Sequence, residues 1–288
     1  MRRERNTLRT GKGKNTRGFA PDPKERRHYT ESYICNPVHR LSVTLIGVGG
    51  TGSQMLSHLA RMNEGLKALG HPGIFVRAFD PDIVTEANIG RQLFSKVDLG
   101  LNKAITAVTR INRFFGTDWE GIAGRFDNIS PANITISCVD SYQARESIYV
   151  RLLETRGKKS RKVNGKDYNF QPWEKQFYWM DFGNGKTTGQ VIIGTVETIK
   201  QPKQSTYDLV PVLPNFLQEF PRGTVDKDEE GGPSCSLAQA MGRQDLYINS
   251  TLSNLGCNLL WKMITTMQLP YRGVFLNLDT MKTNPINI

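Results

Sequence analysis

Apolar and polar positions along this chain switch between two periods. Leu41–Ile46 reads L-S-V-T-L-I, a short run rich in β-branched residues and closed at once by glycines, which is the pattern of a buried parallel strand. From Gly52 the period becomes helical: Met55, Leu56, Leu59, Ala60 and Met62 recur up to about Leu66, and Gly70-His71-Pro72-Gly73 ends the helix. Ile74–Phe79 predicts a second strand, and Leu101–Phe115 a helix whose apolar face is Ala104, Ile105, Val108, Ile111 and Phe115. Trp119–Phe126 and Ile134–Val139 predict strands three and four, with a helix over Ser141–Thr155 behind them.

The second half is less regular. Gly157–Gln176 changes character, with Lys158, Lys159, Arg161, Lys162 and Lys166 ahead of Tyr168, Phe170 and Trp173, and reads as an inserted loop or hairpin. It is either a docking surface for an acidic partner or a solvated loop. Phe177–Phe182 and Gln190–Thr198 are strand-like, with a turn at Gly183–Gly185. Lys200–Gly232 shows no periodicity, and a stretch of that length is usually functional or mobile. A helical region follows with Leu252, Leu255, Leu259, Leu260 and Met263 as its core stripe, and Tyr271–Leu278 is expected to close the protein as a strand. Strand, glycine turn, helix, strand is a βαβ unit. The fold class is therefore α/β: a Rossmann-like, mostly parallel sheet flanked by helices, with additional antiparallel strands in the C-terminal half.

Composition adds boundaries. A chain of 288 residues, 38% hydrophobic and 23% charged, is long enough to bury a substantial core. It has neither a run of about 20 apolar residues to span a bilayer nor an apolar stretch behind its charged start, so a cytoplasmic protein without a membrane partner is expected. The net charge of +11 is concentrated at one end: residues 1–27 hold ten Lys/Arg against three acids, +7, which leaves +4 for the rest. That arm either binds nucleic acid or an acidic partner, or is a solvated disordered tail. Cys35, Cys138, Cys235 and Cys257 are far apart with no C-x-x-C, so no structural zinc is expected.

Chemistry gathers where the predicted strands end. Gly47, Gly49, Gly50 and Gly52 sit at the first strand-to-helix turn, where backbone amides can approach a phosphate. Either a nucleotide site or a tight turn explains them. Asp80–Phe94 (D-P-D-I-V-T-E-A-N-I-G-R-Q-L-F) follows the second strand and carries Asp80, Asn88, Arg91 and Gln92, more polar groups than a turn requires. Lys103 falls in the first turn of a helix, against the macrodipole; a nearby phosphate would remove that objection, and a surface lysine is the other reading. Asp140 ends the fourth strand, as a Mg²⁺ ligand or as a helix cap. Cys138 and Cys257 read as inert apolar-site thiols. Cys235, near a predicted helix start, is a candidate nucleophile or a small buried residue.

These motifs resemble the ThiF/MoeB/ubiquitin-activating superfamily. Its G-x-G-G-x-G stands here as Gly47–Gly52, its D-x-D-x-V-x-x-x-N-x-x-R-Q as Asp80–Gln92, its G-x-x-K as Gly100–Lys103 and its D-N/S-x-x-x-R as Asp140–Arg145. G-H-P-G and P-S-C-S-L-A-Q-A look most like the ThiF-related family of bacterial PRTRC cassettes. The resemblance implies ATP-dependent adenylation of the C-terminal carboxylate of a ubiquitin-like β-grasp protein, with Arg91 and Lys103 as catalytic cations. Asp80 would hold the ribose, Asn88, Arg91 and Lys103 the phosphates, and Asp140 Mg²⁺. It also implies one adenylation domain over residues 28–288, with a nucleotide-binding half at 41–156 and a crossover loop and C-terminal elements at 200–288. A homodimer is a family expectation, and a conjugating-enzyme-like carrier and a thioester on Cys235 are further ones. The family's R-Y-x-R-Q segment, which donates an arginine to the partner's ATP, has no match; Arg40 and the tail are weak substitutes. Adenylation of a small molecule or RNA nucleoside, and a non-catalytic nucleic-acid-binding module, are the alternatives.

Overall fold

The computed structural model describes residues 25–126, 132–154, 156, 160–163, 166–222 and 244–288. In chain order these form β1 (Arg26–Tyr29), α1 (Ser32–Cys35), β2 (Leu41–Ile46), α2 (Gly50–Ala68), β3 (Ile74–Phe79), α3 (Lys103–Phe115), β4 (Glu120–Ile122), β5 (Ile134–Ser137) and α4 (Tyr142–Leu153). The second half adds β6 (Ser160–Val163), β7 (Lys166–Asn169), β8 (Tyr178–Asn184), β9 (Thr188–Thr195), β10 (Asp208–Leu209), α5 (Phe216–Glu219), α6 (Ile248–Thr265), β11 (Gln268–Leu269), β12 (Tyr271–Asn277) and β13 (Lys282–Asn287).

The main sheet has eight strands in the order β13-β12-β9-β8-β5-β2-β3-β4. Its β8-β5-β2-β3-β4 half is parallel, and β9, β12 and β13 run antiparallel to their neighbours. That is the expected class, with the antiparallel strands in the C-terminal half. β2 and β5 are buried on both faces, which explains why they read as continuous apolar runs instead of alternating ones. The apolar stripes of α2 (Met55, Leu56, Leu59), α3 (Ala104, Val108, Ile111) and α6 (Leu252, Leu259, Leu260, Met263) close over the sheet in one core. No helix among the described residues is long and apolar enough to cross a membrane.

Several boundaries differ from the sequence pattern. The chain does not close at Tyr271–Leu278, because β13 returns antiparallel and forms the sheet edge. Pro285 hid it; an edge strand tolerates proline because one side makes no ladder bonds. The third strand shrinks to Glu120–Ile122. Arg26 and Arg27, counted with the basic arm, begin a strand that pairs with β10 and β11. Of Lys200–Gly232, residues 200–222 carry β10 and α5, while 223–232 lie outside the described residues, as do residues 1–24 of the basic arm.

The insertion is a hairpin, β6 against β7, followed by a one-turn 3₁₀ helix at Pro172–Glu174. That turn docks at the amino ends of β2 and β5. The Asn133 amide nitrogen donates to the carbonyls of Pro172 and Lys175, both at 3.0 Å, and Ser42 Oγ donates to the Trp173 carbonyl at 3.1 Å. Trp173 is partly exposed and packs edge-on against His39. The insertion is therefore anchored at the end of the sheet opposite the carboxyl ends of the parallel strands.

Candidate functional site

At those carboxyl ends lies a cleft of about 1100 Å³. It is lined by Gly47, Gly49 and Gly50, by Asp80, Asp82, Asn88, Arg91 and Gln92, by Lys103, and by Asp140. Segments up to 93 residues apart converge here because each follows a strand of the same parallel array, the place where open α/β sheets bind ligands.

The glycine loop joins β2 to α2. Gly47 holds φ +86°, and an added Cβ on Gly52 would fall 1.8 Å from the Gly47 carbonyl, so the turn accepts no larger residue at either place. Gly49 caps α2 without any side-chain hydrogen bond, and the first turn holds no acid. The first-turn amides are thus left facing the cleft, with the positive end of the macrodipole behind them.

The loop after β3 is fixed from its first residue. Asp80 is buried; one carboxylate oxygen accepts the Val48 amide at 2.6 Å and the other the Asp82 amide at 2.9 Å. Burial pushes its carboxyl above the ordinary value, against those two amides and the Lys103 charge, which pull it down. Asp82, two residues on, has an open side chain whose carboxylate accepts Lys103 Nζ at 3.0 Å. Lys103 itself is buried, and Asp82 supplies the negative charge that its place at the start of α3 calls for. Asn88 faces the cleft, yet its oxygen accepts the Thr85 amide at 2.9 Å and so closes a 3₁₀ turn. Arg91 Nη1 donates to Gln244 Oε1 at 2.7 Å, while its Nε is buried with no acceptor among the described residues. Burial lowers the Arg91 pKa.

Asp140 is exposed at the cleft and has no hydrogen-bond or ion-pair partner among the described residues. Ser141, the next residue, caps α4 through Ala144 N at 3.2 Å, so the cap role falls to the serine. Beneath Asp140 lies a buried clamp. Arg145 Nε meets Asp181 at 2.9 Å, its Nη2 donates to the carbonyls of Val139 and Phe182, both at 2.8 Å, and Ser137 Oγ donates to the other Asp181 oxygen. The arginine that ends the D-S-x-x-x-R motif therefore holds the strand-to-helix turn in place.

Residues that were given no role from the sequence also line the cleft: Asp82, Arg125, Gln244 and Asn249. Asp82 lay in plain view within D-x-D; Arg125, Gln244 and Asn249 had no local pattern to reveal them. Cys138 lines the cleft just past β5, and burial raises its thiol pKa well above the ordinary value. Cys257 is buried against Met55, its pKa pushed up to about 12. Cys235 lies outside the described residues. Arg40 sits at the amino end of β2, paired by both guanidinium nitrogens to Asp118.

Residues 33–287 match the family model described as the ThiF family. This chain belongs to the ThiF family. Among curated relatives, this ThiF chain is 30% identical to ubiquitin-like modifier-activating enzyme 5 of Drosophila sechellia and of Drosophila melanogaster. Each alignment covers 37% of this chain, and it spans only 29% of the length of those relatives. Among solved structures, the fold is similar to that of SeMet PaaA (TM-score 0.52, 17% identity, 86% of this chain, 64% of that one). It is also similar to Escherichia coli MccB (TM-score 0.52, 14% identity, 86% of this chain, 62% of that one).

Proposed function

We propose that this ThiF-family chain uses ATP to adenylate the C-terminal carboxylate of a ubiquitin-like β-grasp protein. The observation that carries the reading is the convergence of open helix-start amides, Arg91, Lys103 and Asp140 on one cleft at the carboxyl ends of β2, β3 and β5. A carboxylate oxygen attacks the α-phosphorus, the bond from that phosphorus to the β-phosphate bridge breaks, and pyrophosphate leaves. Nothing is oxidised or reduced. The glycine-loop amides and the cations Arg91 and Lys103 stabilise the charge that gathers on the phosphates, and most of the acceleration comes from holding the two reactants in line.

Asp80 and Asp82 would receive the ribose hydroxyls. Asp82 has the more open carboxylate, while Asp80 fixes the loop through the Val48 and Asp82 amides. Asn88 positions its turn with its oxygen and turns its amide nitrogen to the phosphates. Mg²⁺ fits this donor set as an ion shared with the nucleotide: Asp140 offers one free carboxylate, and the described residues contain no cluster of three metal-ligating side chains that would form a cage of its own. When bound it would neutralise the departing pyrophosphate.

The carboxylate donor is inferred from the similarity to ubiquitin-like modifier-activating enzyme 5 and from membership of the ThiF family. Radiolabelled pyrophosphate exchange into ATP in the presence of a β-grasp protein encoded beside this chain tests it. Exchange that depends on the acceptor's free C-terminus and is strongly slowed in Asp140→Ala is expected; no exchange with any such acceptor sinks the proposal. Mass spectrometry of the same mixture distinguishes an acyl-adenylate from a thioester lost in Cys235→Ala. Sedimentation would report whether the enzyme is the homodimer common in the family.

A further inference from the structure

The chain from Gln244 to Asn249, just ahead of and into α6, reaches back across 198 residues to the glycine loop. Asn249 is buried; its oxygen accepts Thr51 Oγ1 at 2.9 Å, and its nitrogen donates to Gln244 Oε1 at 2.9 Å. The same Gln244 oxygen accepts Arg91 Nη1 at 2.7 Å, so both its lone pairs are used. Asn249 also lies flat on the loop: a Cβ added to Gly50 would come 2.6 Å from its amide. Four side chains, Thr51, Asn249, Gln244 and Arg91, therefore form one continuous strut from the glycine turn to the arginine. No carboxylate pairs with Arg91 among the described residues.

We infer that Gln244 and Asn249 are positioning residues that aim Arg91 at the triphosphate. A guanidinium has five donors in a rigid fork. Gln244 occupies Nη1, and the buried Nε is left without an acceptor, a costly arrangement unless a ligand completes it. Because Nη1 is tied back, the guanidinium is held in one orientation and its remaining donors are left for a phosphate. A neutral amide does this better than an acid would: it orients the arginine without cancelling the charge that the phosphates need. Thr51 and Asn249 tie that orientation to the glycine-loop amides, so both halves of the phosphate site move as one.

The inference rests on the cleft being an ATP site. Binding of ATP and of adenosine is measured by calorimetry without any acceptor protein, for the full chain and for Gln244→Met, which keeps the side-chain volume but removes the acceptor. ATP affinity should fall roughly ten- to a hundredfold, while adenosine affinity stays within about twofold. In an Arg91→Ala background the same Gln244→Met change should have no further effect on ATP, because Gln244 acts through the arginine. Gln244→Glu, which keeps the acceptor and adds a charge, should also weaken ATP selectively. Equal losses for ATP and adenosine, or an undiminished loss in the Arg91→Ala background, would overturn the positioning role while leaving the ATP site standing. Failure of the unaltered chain to bind ATP overturns both.

Discussion

The two ends of the parallel strands treat polar groups in opposite ways. At the amino ends the polar groups that hold the inserted turn and the sheet edge are matched. Asn133 is fully engaged: its oxygen accepts the Ser42 amide, its backbone amide donates to Ser42 Oγ, and its side-chain nitrogen donates to two carbonyls of the inserted turn. Arg40 and Asp118 pair through both of their terminal atoms, and His28 bridges the Val210 carbonyl at 2.6 Å and the Tyr178 hydroxyl at 2.9 Å. At the carboxyl ends, a few residues along the same strands, Asp140 has no partner among the described residues and Arg91 Nε is orphaned and buried. The amino-end groups named here are completed by the fold, while the cleft leaves donors and acceptors open. Unsatisfied buried polarity costs stability, and three such atoms, Arg91 Nε, Gln92 Oε1 and Asn184 Nδ2, belong to residues that line this one cleft, which is what a ligand site looks like.

Breaking that contrast should produce graded effects. The largest falls on the cleft's floor, which is saturated even though its walls are not. Arg145→Met strands the Asp181 carboxylate in the interior, and chemical denaturation should show a loss of about 3–5 kcal/mol. At the cleft itself the expectation reverses. Lys103→Ala and Asp140→Ala should each slow pyrophosphate exchange about 10²–10³-fold, with unfolding free energy changed by less than about 0.5 kcal/mol; a large stability loss in either would mean that these residues serve the fold.

Asn133→Ala should do the opposite of those two. It leaves buried donors and acceptors on both sides of the inserted turn, costing about 1–3 kcal/mol, with ATP affinity unchanged; a nucleotide-binding defect would show that the two ends are coupled. Arg91→Met should be neutral or stabilising by up to about 1 kcal/mol, since it removes a half-buried charge with no counter-ion among the described residues, and yet ATP binding should weaken. A destabilised variant would contradict the picture of an arginine held ready.

The smallest effect is on pH dependence. Burial holds the His28 pKa below its ordinary 6.5, against the Val210 carbonyl, which raises it. The neutral ring is the native form, so its contribution is complete above 6.5 and declines as the pH falls through the lowered native value, where the unfolded chain takes up a proton first. Thermal unfolding between about pH 7.5 and about pH 5.5 should lose part of its slope in His28→Gln; an unchanged slope would move the effect to His58 or His71, whose values burial also lowers.

Much of the fold was legible because the central strands and helices are local patterns. β2, β3 and β5 are apolar runs, α2 and α3 carry helical stripes, and glycines punctuate them. The edges were not: β1 reads R-R-H-Y and β13 reads K-T-N-P-I-N, and neither has a buried face long enough to impose alternation. In the cleft, Arg91, Lys103 and Asp140 were found from motif spacing, and Asp80 and Asp82 exchanged emphasis once their hydrogen bonds were visible.

By itself the sequence determined that strand ends would carry a glycine turn, a polar loop, a helix-start lysine and an acid, since each of these is specified within a few residues. Tertiary structure decided which of them are free. Spacing along the chain cannot report that Gln244 would meet Arg91 across 153 residues, nor that the inserted turn would dock at the far end of the sheet. Those outcomes depend on how α6 packs against α2 and how β8 enters beside β5. Whether a polar group is satisfied is a property of its neighbours in space, and only folding supplies them.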